Sequence, residues 1–161
     1  MSKELTLTSP AFKNGGTIPA KYTCDGNPEL SPPLSINGVP EEAQSLVLIM
    51  DDPDIPDVKK KEFRIESFNH WTLFNISPAT REISEGGVVG TSGATTKGDL
   101  HYVGPCPPPE YEPREHRYIF KLYVLSVPLV LQPGATKKEI LTALAPFIIA
   151  ETELIGRYSR K

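Results

Sequence analysis

Cysteine, long apolar stretches and concentrated positive charge are all scarce in this chain of 161 residues, and each shortage excludes something. Two cysteines, Cys24 and Cys106, are too few for a disulfide framework or a four-cysteine zinc site. In a reducing cytosol two free thiols are the expectation, with a single bridge between them as the alternative. No run of about 18 apolar residues is present to span a bilayer, so the protein is not expected to be membrane-embedded. The opening MSKELTLTSP does not resemble a signal peptide, and a cytoplasmic location is expected. Seventeen Lys and Arg stand against twenty Asp and Glu, for a formal charge of -3. The longest basic block is Lys59-Lys60-Lys61, so the phosphate-neutralising surface that nucleic acid requires is missing. None of the tight ligand spacings of a metal site occurs, and no metal or cofactor is expected.

Leu, Ile, Val and Phe make up about a quarter of the chain, above the roughly 20% below which disorder is expected. The length suits one domain, residues 1–161, with a packed core. Seventeen prolines, about twice the usual frequency, must then be structured loop elements. The apolar run 45–50 (SLVLIM) reads as a buried strand, and residues 69–76 and 117–127 read as two further core strands. Leu5 and Leu7 alternate with polar partners, and TELIGRYS near the end reads as a last strand. Segments 24–41, 77–99 and 104–115 are dense in Gly, Pro, Ser and Thr and read as loops. One late helix is expected: Thr136 and Glu139 form a capping box, and Ile140, Leu141, Leu144, Ile148 and Ile149 make one stripe that packs on a sheet edge. Pro146 ends or bends it near Ala145. The sum is a mainly β fold of two antiparallel sheets with one late α-helix.

Three clusters carry titratable side chains at strand ends. Asp51-Asp52-Pro53-Asp54 follows the strand 45–50, and an extended chain would set Asp52 and Asp54 on one side, about 6.6 Å apart. A plain turn is the other reading of those residues. In Asn69-His70-Trp71 the period of two sends His70 and Trp71 to opposite faces, one to a pocket and the other into packing. In His116-Arg117-Tyr118 the first and third share a face while Arg117 points away. Just before it, Gly104-Pro105-Cys106-Pro107-Pro108-Pro109 cannot donate ladder hydrogen bonds at its prolines and forms a stiff wall, or else a polyproline connector.

Taken together, Pro19 to Gly26, Ser31-Pro32-Pro33-Leu34, Asp52 to Pro56, His70-Trp71, Gly104 to Pro108, His116-Arg117-Tyr118 and Glu153 to Tyr158 give the chain its resemblance to the phosphatidylethanolamine-binding protein family, also called the Raf kinase inhibitor protein family. It is most similar to the shorter prokaryotic branch. The resemblance implies a Greek-key two-sheet fold with a small anion pocket walled by Asp52, Pro53, Asp54, His70, Gly104, Pro107, Pro108, His116 and Tyr118. It also implies a small anion or phosphorylated headgroup as ligand, and a kinase or serine protease as a possible target. Two departures stand out. Residues 109–115 (PEYEPRE) lack the glycine common in that loop and give an acidic rim, and residues 57–69 are longer than in many prokaryotic relatives and put lysines near the pocket. The chain ends soon after Tyr158, with no counterpart of the C-terminal helix of animal members.

The expected function is a binding or inhibitory module. Carboxylates near His70 and His116 favour imidazolium, which with the Tyr118 hydroxyl would hydrogen-bond an anion while Asp52 and Asp54 orient the donors. The alternative is a hydrolase using the Asp and His residues of the pocket, with Cys106 as a thiol nucleophile. No nucleophile elbow or oxyanion-hole pattern accompanies it.

Overall fold

A computed structural model describes residues 4–160. Strands β1 (Thr6–Thr8), β2 (Leu34–Asn37) and β5 (Glu82–Ile83) form a small antiparallel sheet in the order β1-β2-β5. A larger sheet runs β6-β4-β3-β7-β8, with β3 at Ser45–Asp52, β4 at Phe68–Ile76, β6 at Thr91–Ser92, β7 at His116–Leu125 and β8 at Ile148–Tyr158. All its ladders are antiparallel. The three strands expected to be central, β3, β4 and β7, are central because they are apolar on both parities and so need cover on both faces. On one face Leu46, Leu48, Met50, Phe120 and Leu122 meet Leu7, Leu34, Ile36 and Ile83 of the small sheet. On the other, Val47, Ile49, Phe74 and Leu125 are covered by Leu129 and by helix α2, through Ile140 and Leu144.

Helix α1 spans Asp57–Phe63 and α2 spans Lys137–Leu144. The capping box is present at α2: Glu139 N–H donates to Thr136 Oγ1 and Thr136 N–H donates to Glu139 Oε1. The helix departs from expectation in two respects. It stops at Leu144, because Pro146 turns residues 145–147 into a single 3₁₀ turn, so that Ile148 and Ile149 belong to β8. It also lies on the face of the large sheet and not on its edge. Helix α1 was not expected, since it buries no residue and carries no apolar stripe; Arg64, at φ 56°, closes it in the left-handed region.

Two β-bulges interrupt the pairing of β3 with β4. The register passes from Leu46↔Ile76 to Leu48↔Leu73, and from Met50↔Trp71 to Asp51↔Asn69. In each case β4 contributes one residue more than its partner, and in the second the extra residue is His70.

The cysteines are bridged, which corrects the expectation of free thiols. Cys24 and Cys106 stand 82 residues apart in sequence, but their loops bring the Cα atoms to 5.4 Å and a disulfide joins them. Cys24 N–H also donates to the Pro105 carbonyl at 3.1 Å. Among the described residues no helix is long and apolar enough to cross a membrane.

Candidate functional site

Asp52 ends β3, His116 and Tyr118 begin β7, and these three share the face that carries Met50 and Phe120. Regular pairing would have set His70 on the opposite face. The bulge removes it from the ladder, and its ring instead packs 4.7 Å from Phe68 and 5.3 Å, edge-on, from Tyr118. Trp71, 5.5 Å from Tyr102, is buried in the layer to which Tyr118 belongs. His70 and Trp71 thus both serve one layer, against the alternation expected from a period of two.

These side chains line a cavity of about 180 Å³. Its walls bring together Asp52, His70, Gly104, Pro107, Pro108, His116 and Tyr118 of the nine residues named from the sequence. Pro53 and Asp54 are not among the lining residues. The chain turns after Asp52, whose Oδ1 accepts the Asp54 N–H at 2.8 Å, and this turn carries the Asp54 carboxylate outward to Arg117. There it accepts from Nε and one Nη, each at 2.9 Å, and the guanidinium holds its pKa below the usual carboxylate value. Asp52 and Asp54 thus lie in one turn but face different partners, His116 for the first and Arg117 for the second. Pro53 faces a separate groove with Asp51, Ser67 and Ile119.

The cavity is also walled by Phe68, Lys97 and Val103, and by Ile55 and Cys106, which belong to motifs singled out from the sequence. Phe68 had a signal, two positions before His70 at the head of a strand. Lys97 had none, because only the fold of the 94–99 turn, where Thr96 N–H reaches the Asn69 carbonyl, brings it alongside.

Gly104 explains how the proline-bearing wall sits so close. A Cβ there would stand 2.5 Å from the Tyr22 carbonyl oxygen, and its N–H donates to the Pro28 carbonyl at 2.6 Å. The neighbouring Val103 is held by His70 twice: Val103 N–H donates to the His70 carbonyl at 2.9 Å, and His70 Nδ1–H donates to the Val103 carbonyl at 2.6 Å.

His116 Nδ1–H donates to Asp52 Oδ2 at 2.6 Å, and both side chains are almost wholly buried. Its other nitrogen, Nε2, and the Tyr118 hydroxyl are buried and find no partner among the described residues. Burial, with the Asp52 charge second, pushes the Tyr118 phenol far above its usual pKa, so it keeps its proton. His70 runs counter to the imidazolium expected from the sequence. Its burial outweighs the pull of the Val103 carbonyl and of the Asp52 and Asp51 charges, and its pKa lies below the ordinary 6.5.

The model of the phosphatidylethanolamine-binding protein family matches residues 8–159. The chain belongs to that family. Among its relatives, a UPF0098 protein of Methanothermobacter thermautotrophicus is 42% identical over 165 residues, covering 97% of this chain and 99% of its own. A solved Chlamydia trachomatis homologue of the phosphatidylethanolamine-binding proteins superposes with a TM-score of 0.90 at 41% identity, over 99% of this chain and 100% of its own. Escherichia coli YbcL, at TM-score 0.83 and 24% identity over 99% of this chain and 100% of its own, shares the fold. So does the carboxypeptidase Y inhibitor solved with its cognate proteinase, at TM-score 0.54 and 20% identity over 99% of this chain and 84% of its own.

Proposed function

We propose that the cavity binds a small oxyanion of the phosphate-headgroup type and that the protein works as a binding or inhibitory module. The observation behind this reading is the pair of buried polar atoms, His116 Nε2 and Tyr118 Oη, that reach no protein partner beside an open cavity. Buried polar atoms without partners are uncommon and costly, and an anion's oxygens would satisfy both. Asp52 holds the His116 ring through Nδ1 so that Nε2 is left for a ligand, and Lys97 lines the same cavity and supplies positive charge. Regulation of a kinase or serine protease would be carried by the exposed surface around the cavity. The hydrolase reading loses its thiol route, because Cys106 is bridged.

The test is calorimetric titration with inorganic phosphate and O-phosphoethanolamine. Tyr118→Phe keeps the ring and removes one hydrogen bond to a charged acceptor, so binding should weaken by about 1.5–3 kcal/mol, roughly 10- to 100-fold. A wild-type protein that gives neither heat nor a change in the Tyr118 environment with any phosphate probe sinks the proposal.

A further inference from the structure

The donors and acceptors of the cavity differ in kind, and the difference has a chemical reading. A backbone carbonyl can only accept, so the 2.6 Å contact between His70 Nδ1 and the Val103 oxygen fixes the ring hydrogen on Nδ1. The neutral ring then holds a lone pair on Nε2. Among the described residues no protein donor reaches that nitrogen, whereas the Tyr118 hydroxyl stands ready to donate.

A fully ionised oxyanion brings only lone pairs. It would meet the His70 lone pair and the Asp52 charge with nothing to give either. An oxyanion that retains one O–H satisfies both histidine and tyrosine: its hydroxyl donates to His70 Nε2 while a charged oxygen accepts from Tyr118. Building on the anion-binding reading, we propose that the cavity selects phosphomonoester monoanions, which carry a P–O–H, over phosphodiesters of equal charge, and that His70 is the specificity-determining residue.

Intact diacyl phospholipids are diesters and fall on the disfavoured side. Free phosphate and small phosphorylated metabolites fall on the favoured side.

The charged and titratable groups facing His70 are Asp51 and Asp52 from β3, His116 and Tyr118 from β7, and Lys97 from the 94–99 turn; Cys106 is bridged and does not titrate. Neutral His70 is the state that the proposal needs, and burial favours it.

Methyl phosphate and dimethyl phosphate are matched probes. At pH 5 each is a monoanion and only the first has a hydroxyl. Binding followed by calorimetry at pH 5 should favour methyl phosphate by about tenfold, the difference that one hydrogen bond makes. That advantage should shrink by pH 8, because the second ionisation of the monoester, near pH 6, removes the hydroxyl.

His70→Asn keeps an amide N–H towards Val103 and lacks the Nε2 acceptor, so the two probes should bind it alike. Bulk alone as the cause of discrimination would give a preference that is independent of pH and survives in His70→Asn, and either result overturns the proposal. Equal binding of both probes at pH 5 overturns the selectivity and leaves anion binding standing. Failure of both probes to bind overturns the two together.

Discussion

Unfolding frees His70 to take up a proton near its ordinary pKa of 6.5, while the folded cavity holds it below that value. Because the folded-state pKa is depressed, the folded protein binds fewer protons than the unfolded chain once the pH drops under about 6.5, and stability falls with it. The loss is complete only when the pH passes below the folded value. We therefore expect the urea midpoint of the wild type to fall between pH 7.5 and pH 5.5, and to fall less in His70→Asn. Equal slopes in the two proteins would mean that His70 titrates alike folded and unfolded. Asp54 and Asp25, held down by Arg117 and by Tyr158 with Arg160 respectively, add acid sensitivity only nearer the carboxylate value of 3.8, so the windows separate. Seven of the residues that meet here were named from the resemblance, without their charge states: the gathering of Asp52 with His70 was legible, and the burial that outweighs it was not.

At the level of the strand, the two bulges of β4 decide what the alternation of residue types could not. Without the one at His70, the period of two would carry that ring to the α2 side of the sheet, where Asn69 joins Asp51 and Lys137 instead. The bulge beside Asn75 places that residue at φ 51°, a conformation asparagine tolerates, and lets its side chain act as a strand partner. Asn75 Nδ2 donates to the Leu129 carbonyl at 2.8 Å and its Oδ1 accepts from Leu129 N–H at 2.7 Å. Asn75→Ala should cost about 2–3 kcal/mol, from two lost hydrogen bonds and a positive φ without glycine's freedom. Asn75→Gly should cost less, since only the hydrogen bonds are lost, and chemical denaturation that ranks the two the other way would dismiss the backbone contribution. Strand positions were readable because β3, β4 and β7 are apolar on both parities. The bulges were not, because a single extra residue leaves no mark in composition.

Across the whole molecule, the Cys24–Cys106 bridge ties the loop after a 3₁₀ turn at Ala20–Tyr22 to the proline-bearing wall of the cavity. Residues 107–109 are prolines without N–H groups, and from 106 to 115 the only such backbone bond runs from Tyr111 N–H to the Pro108 carbonyl. Closing 82 residues removes chain entropy from the unfolded state, and cleavage by a dithiol or Cys106→Ser should lower stability by about 2–5 kcal/mol in urea denaturation. An unchanged midpoint would show that the Gly104–Pro28 and Tyr102–Tyr22 hydrogen bonds hold the loops unaided. The pairing was not legible because two cysteines so far apart in sequence meet only through the fold.

The same bridge governs what a single cut does. Helix α1 buries no residue and lies between the two cysteines, as do the turns around Gly86 and Gly90. A protease that nicks the chain within α1 separates Asp52 from His70 in sequence, yet the two pieces stay covalently joined and stay paired through β3 and β4. On a gel the nicked protein would run as one species until reductant is added, and then as two.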